Sequence, residues 1–266
     1  MIVCADDFGL TDDINRAVLD LVKHGRVSAV SCMVALEHFD THAFSRLLRN
    51  GDRIDIGLHL TLTDIRPVHP LSEAGSLVRT SGLFCPFGRL FRRSLRRGVR
   101  SAAVTRETAA QFDRFCELAG RRPDFIDSHL HVHQLPRIRK GVVQFMEGLE
   151  SAPYIRNTAM SAGKISRQGV STLKCHAIGR FGRVFRDAAE GKRFQTNEGF
   201  AGVYDYRRYR SFPLYLRRFV EHMENENGIL MTHPGETEAW RRMEYRTLLE
   251  TDCLQGRINR FQKPAG

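Results

Sequence analysis

The sequence places acidic and histidine side chains directly after several short apolar runs, where they could serve hydrolytic chemistry. Asp6 and Asp7 follow the first run, His59 ends a second and His233 ends a later one. Adjacent residues of an extended chain point to opposite sides, so one carboxylate can bind a metal while the other accepts a proton. Taken singly, a carboxylate pair or a lone histidine is also typical of a turn or rim residue without a catalytic role.

A denser group of polar residues follows a short apolar run near the middle of the chain. Asp127, His129, His131 and His133 stand at every second position. If the strand stays extended, these four side chains project to one side. A packed core gains little from clustered imidazoles, so the group indicates a metal or catalytic site. The spacing alone does not choose which histidines would be ligands.

One carboxylate and two imidazoles around a divalent cation form a common hydrolytic arrangement. The cation would lower the pKa of its bound water and polarise a carbonyl. A free carboxylate would take the proton of the water, and a histidine would protonate the leaving amine. The same donor set suits non-haem iron, but the additional acid and base candidates favour hydrolysis. The donors do not discriminate between Mg²⁺ and Zn²⁺.

Strand-like and helix-like segments alternate along the chain and must position these side chains. Apolar, strand-like runs occupy residues 2–5, 29–36, 54–60, 125–128, 154–156 and 229–232. Helix-like patterns occupy residues 11–24, 41–48, 105–118, 136–148, 213–224 and 236–250. Repeated βα units predict an α/β domain with a parallel sheet or barrel, whose chemistry collects at the C-terminal ends of the strands. The candidate residues all fall at such ends.

Two stretches interrupt the alternation of strands and helices. Residues 61–102 are rich in proline and glycine and then in arginine, which predicts a long loop or lid insertion covering a substrate site. Residues 157–205 show no clear period, and no element is assigned there.

Composition and length are those of an ordinary globular protein. The 266 residues are 42% hydrophobic and 27% charged, which excludes a disordered class and suits a single domain over residues 1–266. The six cysteines are scattered without a C-x-x-C pair, so we expect reduced thiols. Apolar runs too short for a bilayer and the absence of a leader pattern predict a cytoplasmic location.

The chain is strongly basic, with a formal charge of +11 and a pI of about 9.8. Much of the excess lies in residues 89–100 and 206–218, which would attract anions such as a phosphorylated or lipid-linked substrate, an anionic membrane or nucleic acid. An apolar stripe beside the arginines of 89–100 suits an interfacial helix. We favour the simpler interpretation that this stripe packs on the barrel as a lid.

Four motifs together resemble the signature blocks of the YdjC-like (ChbG/HpnK) carbohydrate deacetylases. They are Ala5-Asp6-Asp7-Phe8-Gly9, Gly57-Leu58-His59, Asp127-Ser128-His129-x-His131-x-His133 and Thr232-His233-Pro234. Their order and spacing match that family over nearly the whole chain. The resemblance implies a distorted TIM-like (β/α) barrel, often dimeric, that removes acetyl groups from N-acetylated sugars.

The resemblance also implies roles for individual residues. The implied metal ligands are Asp7, His59 and His129, the general base is Asp6 and the general acid is His233. Arg156 is similar to an arginine near the catalytic pocket of the family, and His131 and His133 match positions expected to contact substrate.

The sequence therefore predicts a hydrolase of amide C–N bonds, a carbohydrate N-deacetylase that depends on one divalent metal ion, Mg²⁺ or Zn²⁺. Its expected partner is an N-acetylated sugar or glycan, with phosphorylation, a lipid link, a membrane surface and a homodimer left open and no nucleic acid expected. One alternative is a metal-dependent phosphoesterase, which commonly needs a second metal and more bridging carboxylates. The other is a non-enzymatic basic module that binds membrane or nucleic acid through residues 89–100.

Overall fold

The computed structural model describes residues 1–70, 74–223 and 227–262, and its centre is a parallel sheet. The strands are β1 (Ile2–Phe8), β2 (Ala29–Cys32), β3 (Asp55–Leu60), β4 (Phe125–Ser128), β5 (Tyr154–Ile155), β6 (Gly199–Ala201) and β7 (Gly228–Thr232). Their spatial order is β5-β4-β3-β2-β1-β7-β6, and every neighbouring pair is parallel. The α/β fold predicted from the sequence is confirmed.

The sheet curls so that its two edges approach each other. Ile155 at the end of β5 forms a parallel bridge with Thr196, just before β6. Next to it, the side chains of Asn157 and Asn197 exchange hydrogen bonds with each other's backbone at 2.7–3.0 Å. Irregular contacts thus take the place of a regular strand pair at the seam, which gives the distorted, TIM-like barrel that the sequence predicts.

Helices cover the outside of the sheet. They are α1 (Asp12–Lys23), α2 (Thr41–Leu48), α3 (Phe87–Leu95), α4 (Ser101–Ala119), α5 (Ile138–Glu147), α6 (Ala162–Gln168), α7 (Thr172–Glu190), α8 (Phe212–Glu221) and α9 (Ala239–Glu250). Every residue of the seven strands is buried, as expected for a parallel sheet covered by helices. In the described ranges no helix is long and apolar enough to cross a membrane.

Most predicted elements are present within a few residues of their expected bounds. The strand predicted over 29–36 ends at Cys32, and the helix predicted from residue 105 begins at Ser101. The helix predicted over 213–224 runs over Phe212–Glu221, and residue 224 lies outside the described residues.

The described parts of the segment 61–102, residues 61–70 and 74–102, contain more regular structure than the composition indicates. Its arginine-rich part forms α3, whose Leu90 is fully buried while Phe87 and Leu95 are 40% and 50% exposed. The loop before it is held by the buried carboxylate of Glu107, which accepts hydrogen bonds from the backbone N–H groups of Val68 and His69 at 3.0 Å. The apolar stripe of this segment therefore packs partly against the barrel.

The segment 157–205 contains α6, α7 and β6, which the sequence pattern did not reveal. The buried face of α7 carries small residues, Gly179, Gly182 and Ala189, beside only one large apolar side chain, Phe185. Hydrophobic periodicity is weak when a buried helix face is lined by small residues. These small residues let α7 lie directly on the backbone that follows β5.

The close contact between Gly182 of α7 and the backbone after β5 can be tested by substitution. A Cβ at this position would collide with the backbone at Thr158 and Ala159, whereas one at Gly88 in α3 would meet nothing within 4 Å. We expect Gly182→Ala to lower the free energy of unfolding by about 1–3 kcal/mol. Gly88→Ala should raise it by up to about 1 kcal/mol, because alanine loses less conformational entropy in a helix. Urea denaturation of both variants measures this, and equal effects would contradict the packing described.

Candidate functional site

Asp6 and Asp7 lie in a bulge of β1. Ala5 pairs with Val30 and Phe8 with Cys32, so two residues of β1 face a single residue of β2. Asp7 adopts a left-handed backbone conformation with φ of 67°, which aspartate tolerates better than most residues. The extra residue turns both carboxylates toward the C-terminal end of the sheet, where each is 1% exposed.

Asp7 faces two histidines that come from other strand ends. Its Oδ1 lies 3.4 Å from Nε2 of His59 and 3.0 Å from Nδ1 of His129. Potential ligand atoms of the three residues lie within 4.8 Å of one another. The other oxygen of Asp7 accepts a hydrogen bond of 2.7 Å from Arg241 of α9. One carboxylate oxygen and two imidazole nitrogens thus form a donor set that fits a divalent cation.

Burial and polar contacts have opposite effects on the charges of Asp7 and His59. Burial alone would raise the pKa of Asp7, but the hydrogen bonds from His129 and His59 outweigh it and hold the pKa well below its usual value. Burial opposes a charge on His59, yet the carboxylate of Asp127 outweighs it and raises the pKa of His59 to about 10. The site therefore favours a positive charge between these groups, whether a proton or a metal cation.

His59 is oriented from behind by Asp127. Its Nδ1 lies 2.7 Å from Oδ1 of Asp127, and the hydroxyl of Ser31 donates to the same oxygen. With Nδ1 bonded to the carboxylate, Nε2 is directed toward Asp7. A carboxylate behind a histidine in this way is the usual support of a metal-binding imidazole.

Arg156 is fully buried and joins the remaining carboxylates. Its guanidinium donates to both oxygens of Asp6 at 2.6 and 2.7 Å and lies 2.7 Å from Oδ2 of Asp127. Burial would raise the pKa of Asp127, but Arg156 and His59 outweigh it and lower that pKa to about 2. A second group of potential ligands, Cys4 with Asp6 and Asp127, surrounds this guanidinium and is occupied by it.

The three histidines after β4 do not share one face, so the prediction of an extended strand there is wrong. The strand ends at Ser128, and a tight 3-10 turn over His129–Gln134 follows, with left-handed φ angles of 56° and 55° at Leu130 and His131. The hydroxyl of Ser128 accepts the backbone N–H of His133 at 3.0 Å and thereby holds the turn.

The turn sends each histidine to a different place. His129 faces Asp7, and His131 lines a cavity with its Nδ1 buried and without a hydrogen-bond partner among the described residues. His133 is buried away from the cavity lining, and its ring nitrogens contact Ser128 at 2.6 Å and the backbone oxygen of Arg156 at 2.8 Å. It therefore supports the backbone that carries Arg156.

His233 follows β7 and is held by a network from α9. Its backbone N–H donates to Glu244 at 2.6 Å, and Glu244 accepts the hydroxyl of Tyr204 at 2.6 Å on its other oxygen. The ring Nδ1 lies 3.4 Å from the hydroxyl of Tyr206. Burial lowers the pKa of His233 to about 4, so the imidazole is neutral near pH 7.

A cavity of about 380 Å³ opens over these groups. It is lined by Asp6, His59, His129, His131 and His233, which brings together most of the residues singled out from the sequence. Arg156 lies behind Asp6 and not in the lining.

Sequence reasoning missed several residues of the site. Gln134 lines the cavity; its Oε1 accepts from the backbone and hydroxyl of Thr158, and its Nε2 has no partner among the described residues. Arg241 and Glu244 lie on one face of α9, on the helical turns after His233. Only their spacing of three residues could have indicated a shared face, and nothing in the sequence links that face to the site.

Comparison with known proteins gives the family. A family model described as "YdjC-like protein" matches residues 1–256. The chain belongs to the YdjC-like family. The resemblance recognised in the four motifs is thereby confirmed.

Relatives of this YdjC-like protein carry deacetylase names. It is 36% identical over 149 residues to a chitooligosaccharide deacetylase of Enterobacter sp. (strain 638), covering 54% of each chain. It is 34% identical over 173 residues to one of Proteus mirabilis (strain HI4320), covering 64% of each. A carbohydrate deacetylase of Geobacillus stearothermophilus is 34% identical over 146 residues, 55% of each. The chain thus spans about half to two thirds of the length of these relatives.

A solved structure shares the fold. It is a protein of Enterococcus faecalis V583 described as a cellobiose-phosphate cleavage protein, with a TM-score of 0.71 and 21% identity. The match covers 96% of this chain and 94% of that one.

Arg156 of the YdjC-like protein should be essential for stability. We expect Arg156→Met to lower the free energy of unfolding by about 3–5 kcal/mol, because it leaves the carboxylates of Asp6 and Asp127 buried without a cation. Arg156→Lys should lower the free energy of unfolding by less, because lysine keeps the positive charge but cannot bond both oxygens of Asp6 in the same way. Urea denaturation tests this, with the exposed Arg180→Met as the control within about 0.5 kcal/mol of wild type. A similar loss in Arg156→Met and Arg180→Met would contradict the prediction.

Glu244 should make stability fall as the pH rises. Burial raises its pKa to about 7, so below that pH the folded protein holds a proton that the unfolded chain, with a pKa of about 4.3, has released. This contribution to stability is lost as the pH rises through 7. From pH 5 to pH 8, the free energy of unfolding of wild type should therefore fall by about 2–3 kcal/mol more than that of Glu244→Gln. Urea midpoints at both pH values measure this, and the exposed Glu250→Gln in the same helix should follow wild type.

Proposed function

We propose that this YdjC-like protein is a metal-dependent hydrolase that removes the acetyl group from an N-acetylated sugar. The observation that carries the proposal is the donor set of Asp7, His59 and His129. Both histidines of this set line a cavity that Asp6 and the neutral imidazole of His233 also line. The deacetylase names of the relatives support the reaction class. The six cysteines are free thiols, and the cytoplasmic location expected from the sequence stays part of the proposal.

Asp7, His59 and His129 would hold one divalent cation, Mg²⁺ or Zn²⁺. When bound, it would supply Lewis-acid polarisation of the amide carbonyl oxygen and activation of water. Asp127 keeps Nε2 of His59 directed at this point, and Arg241 occupies the second oxygen of Asp7 so that the first remains available.

Asp6 is the proposed general base. Arg156 donates one hydrogen bond to each of its oxygens, which fixes the carboxylate in place, and Asp6 still lines the cavity. Oδ1 also accepts the thiol of Cys4 at 3.4 Å, whereas Oδ2 keeps a further lone pair that can accept the proton of an attacking water. The guanidinium thus positions the base without occupying all of its acceptor sites.

His233 is the proposed general acid. It follows β7, which lies beside β1 on the side opposite β2 and β3. His233 and His59 therefore flank the β1 carboxylates from two directions. Because burial keeps His233 neutral, the proton that Asp6 takes from the water would have to be transferred to His233 before it is passed on to the leaving nitrogen.

Substrate contacts are available next to these groups. Gln134 and His131 line the cavity, and Nε2 of Gln134 and Nδ1 of His131 are buried without partners among the described residues. A small shift of either side chain would let it hydrogen-bond a hydroxyl or carbonyl oxygen of a sugar amide. Arg156 acts on the substrate only through Asp6, since it lies behind that carboxylate.

The phosphoesterase alternative is not favoured by this arrangement. Two-metal phosphoesterases hold their cations about 3.5–4 Å apart with bridging carboxylates. The second group of potential ligands in the described residues surrounds the guanidinium of Arg156. Its positive charge takes the place that a second cation would need.

Metal content and acetate release test the proposal together. In Mg²⁺- or Zn²⁺-loaded protein we expect acetate from N-acetylglucosamine or its oligomers. Asp7→Asn and His129→Ala should lose both the metal, measured by elemental analysis, and activity. Asp6→Asn and His233→Ala should keep the metal and lose about 10²–10⁴-fold in kcat.

His42→Ala, at an exposed histidine of α2, is the matched control and should behave as wild type in metal content and turnover. Full activity in metal-free Asp7→Asn would contradict the proposal. So would release of phosphate from sugar phosphates in preference to acetate.

A further inference from the structure

The basic segment 206–218 supplies a side chain to the site that none of the four family motifs contains. Tyr206 begins a short 3-10 turn over Tyr206–Ser211 and lines the cavity together with Asp6 and His233. Its hydroxyl oxygen lies 3.4 Å from Nδ1 of His233. In the described part of the chain the hydroxyl has no other hydrogen-bond partner. The hydroxyl of Tyr206 is therefore directed at the ring of the proposed general acid.

The aromatic ring of Tyr206 is held in place by neighbouring rings. It stacks on Trp240 of α9 with centroids 4.2 Å apart, and Tyr204 packs edge-on against it at 4.9 Å. Trp240 also contacts the ring of His233 at 5.8 Å. Since these contacts involve only the rings, they fix the position of Tyr206 and leave its hydroxyl available to His233.

Tyr204 and Tyr206 support His233 in different ways. The hydroxyl of Tyr204 donates to Glu244, and Glu244 accepts the backbone N–H of His233, so Tyr204 supports the main chain. Tyr206 instead contacts the imidazole itself. Burial raises the pKa of Tyr206, so its hydroxyl stays protonated near pH 7 and its oxygen can still accept a hydrogen bond.

The contact at Nδ1 leaves the other ring nitrogen of His233 for the substrate. Nε2 bonds no other described residue, and His233 lines the cavity. In a neutral imidazole one nitrogen carries the hydrogen and the other accepts, and the hydrogen bond made by one nitrogen sets the state of the other. The proposed general acid must gain a proton before it can give one to the leaving nitrogen. Nε2 can gain it only if the hydrogen of the neutral ring is on Nδ1.

We propose that Tyr206 is a positioning residue whose hydroxyl oxygen accepts Nδ1–H of His233 and thereby presents an unprotonated Nε2 to the substrate. The proton taken from water enters the ring at Nε2 and leaves from Nε2 to the leaving nitrogen, while Nδ1–H keeps its hydrogen bond. This bond becomes stronger when the ring is charged, so it favours the imidazolium that forms in between.

The inference rests on the proposed deacetylase function for the direction of proton transfer. It goes beyond that function because it assigns the tautomer of His233 and the residue that sets it.

NMR of the ring nitrogens in the full chain, labelled in histidine, tests the tautomer without turnover. The signals are assigned to His233 through its backbone resonances. Near pH 7 we expect Nδ1–H in wild type and a change toward Nε2–H, the form that histidine prefers in water, in Tyr206→Phe. Tyr209→Phe is the matched control, because Tyr209 belongs to the same turn but does not line the cavity. Nε2–H in wild type overturns the inference, since Tyr206 would then donate to Nδ1.

The kinetic effect of Tyr206 should depend on His233. In metal-loaded protein acting on N-acetylglucosamine oligomers, Tyr206→Phe should lower kcat at least about tenfold and leave KM little changed. The double variant Tyr206→Phe/His233→Ala should have the kcat of His233→Ala alone, because Tyr206 acts through that ring. Two losses that multiply would overturn the inference. So would a raised KM at unchanged kcat, which is the effect expected of a substrate contact.

Two further readouts separate positioning from folding and from the proposed function. Trp240 is the single tryptophan of the chain and stacks on Tyr206, so unchanged fluorescence in Tyr206→Phe shows that the aromatic ring keeps its place. The wild-type NMR spectrum decides the tautomer whether or not a variant folds. If no amide is cleaved, the proposed function fails. Nδ1–H in wild type, lost in Tyr206→Phe, then still supports the role of Tyr206, and Nε2–H in wild type overturns it.

Discussion

The fully buried guanidinium of Arg156 holds the rest of the site in place. It bonds both oxygens of Asp6 and contacts Asp127, so one side chain after β5 ties together the ends of β1 and β4. Removing carboxylates from water costs several kcal/mol per ion, and only a buried cation with matching hydrogen bonds offsets that cost. The barrel can therefore keep charged groups at the bottom of a cavity, where their interactions are strong.

The contacts of Arg156 also help to position the candidate metal ligands. Asp127 bonds His59, and His59 faces Asp7, whose second oxygen is bonded by Arg241 from the helix after β7. Two guanidinium groups, one following β5 and one from α9 after β7, thus bond the carboxylates between them. The cluster is preorganised by these ion pairs, which would lower the cost of assembling a coordination site for the proposed cation.

The polar groups of the site and part of its apolar lining come from different segments. The strand ends position the polar side chains, and the register of a parallel sheet leaves little freedom there. Part of the apolar lining of the cavity comes from α3 and α7, which belong to long connections between strands. Connections of this kind vary more readily than the sheet they join, so the same strand-end residues can serve different substrates.

The sequence by itself determined the parallel α/β fold and the positions of Asp7, His59 and His233 at strand ends. The hydrophobic pattern marks where each strand ends, and the C-terminal ends of parallel strands meet at the same edge of the sheet. Only the tertiary structure decided that the histidines after β4 separate, since a left-handed turn held by Ser128 replaces the extended strand. It also decided that α7 exists, that Gln134 faces the cavity and that α9 supplies an arginine. These features depend on contacts between distant segments, which leave no local period or motif in the chain.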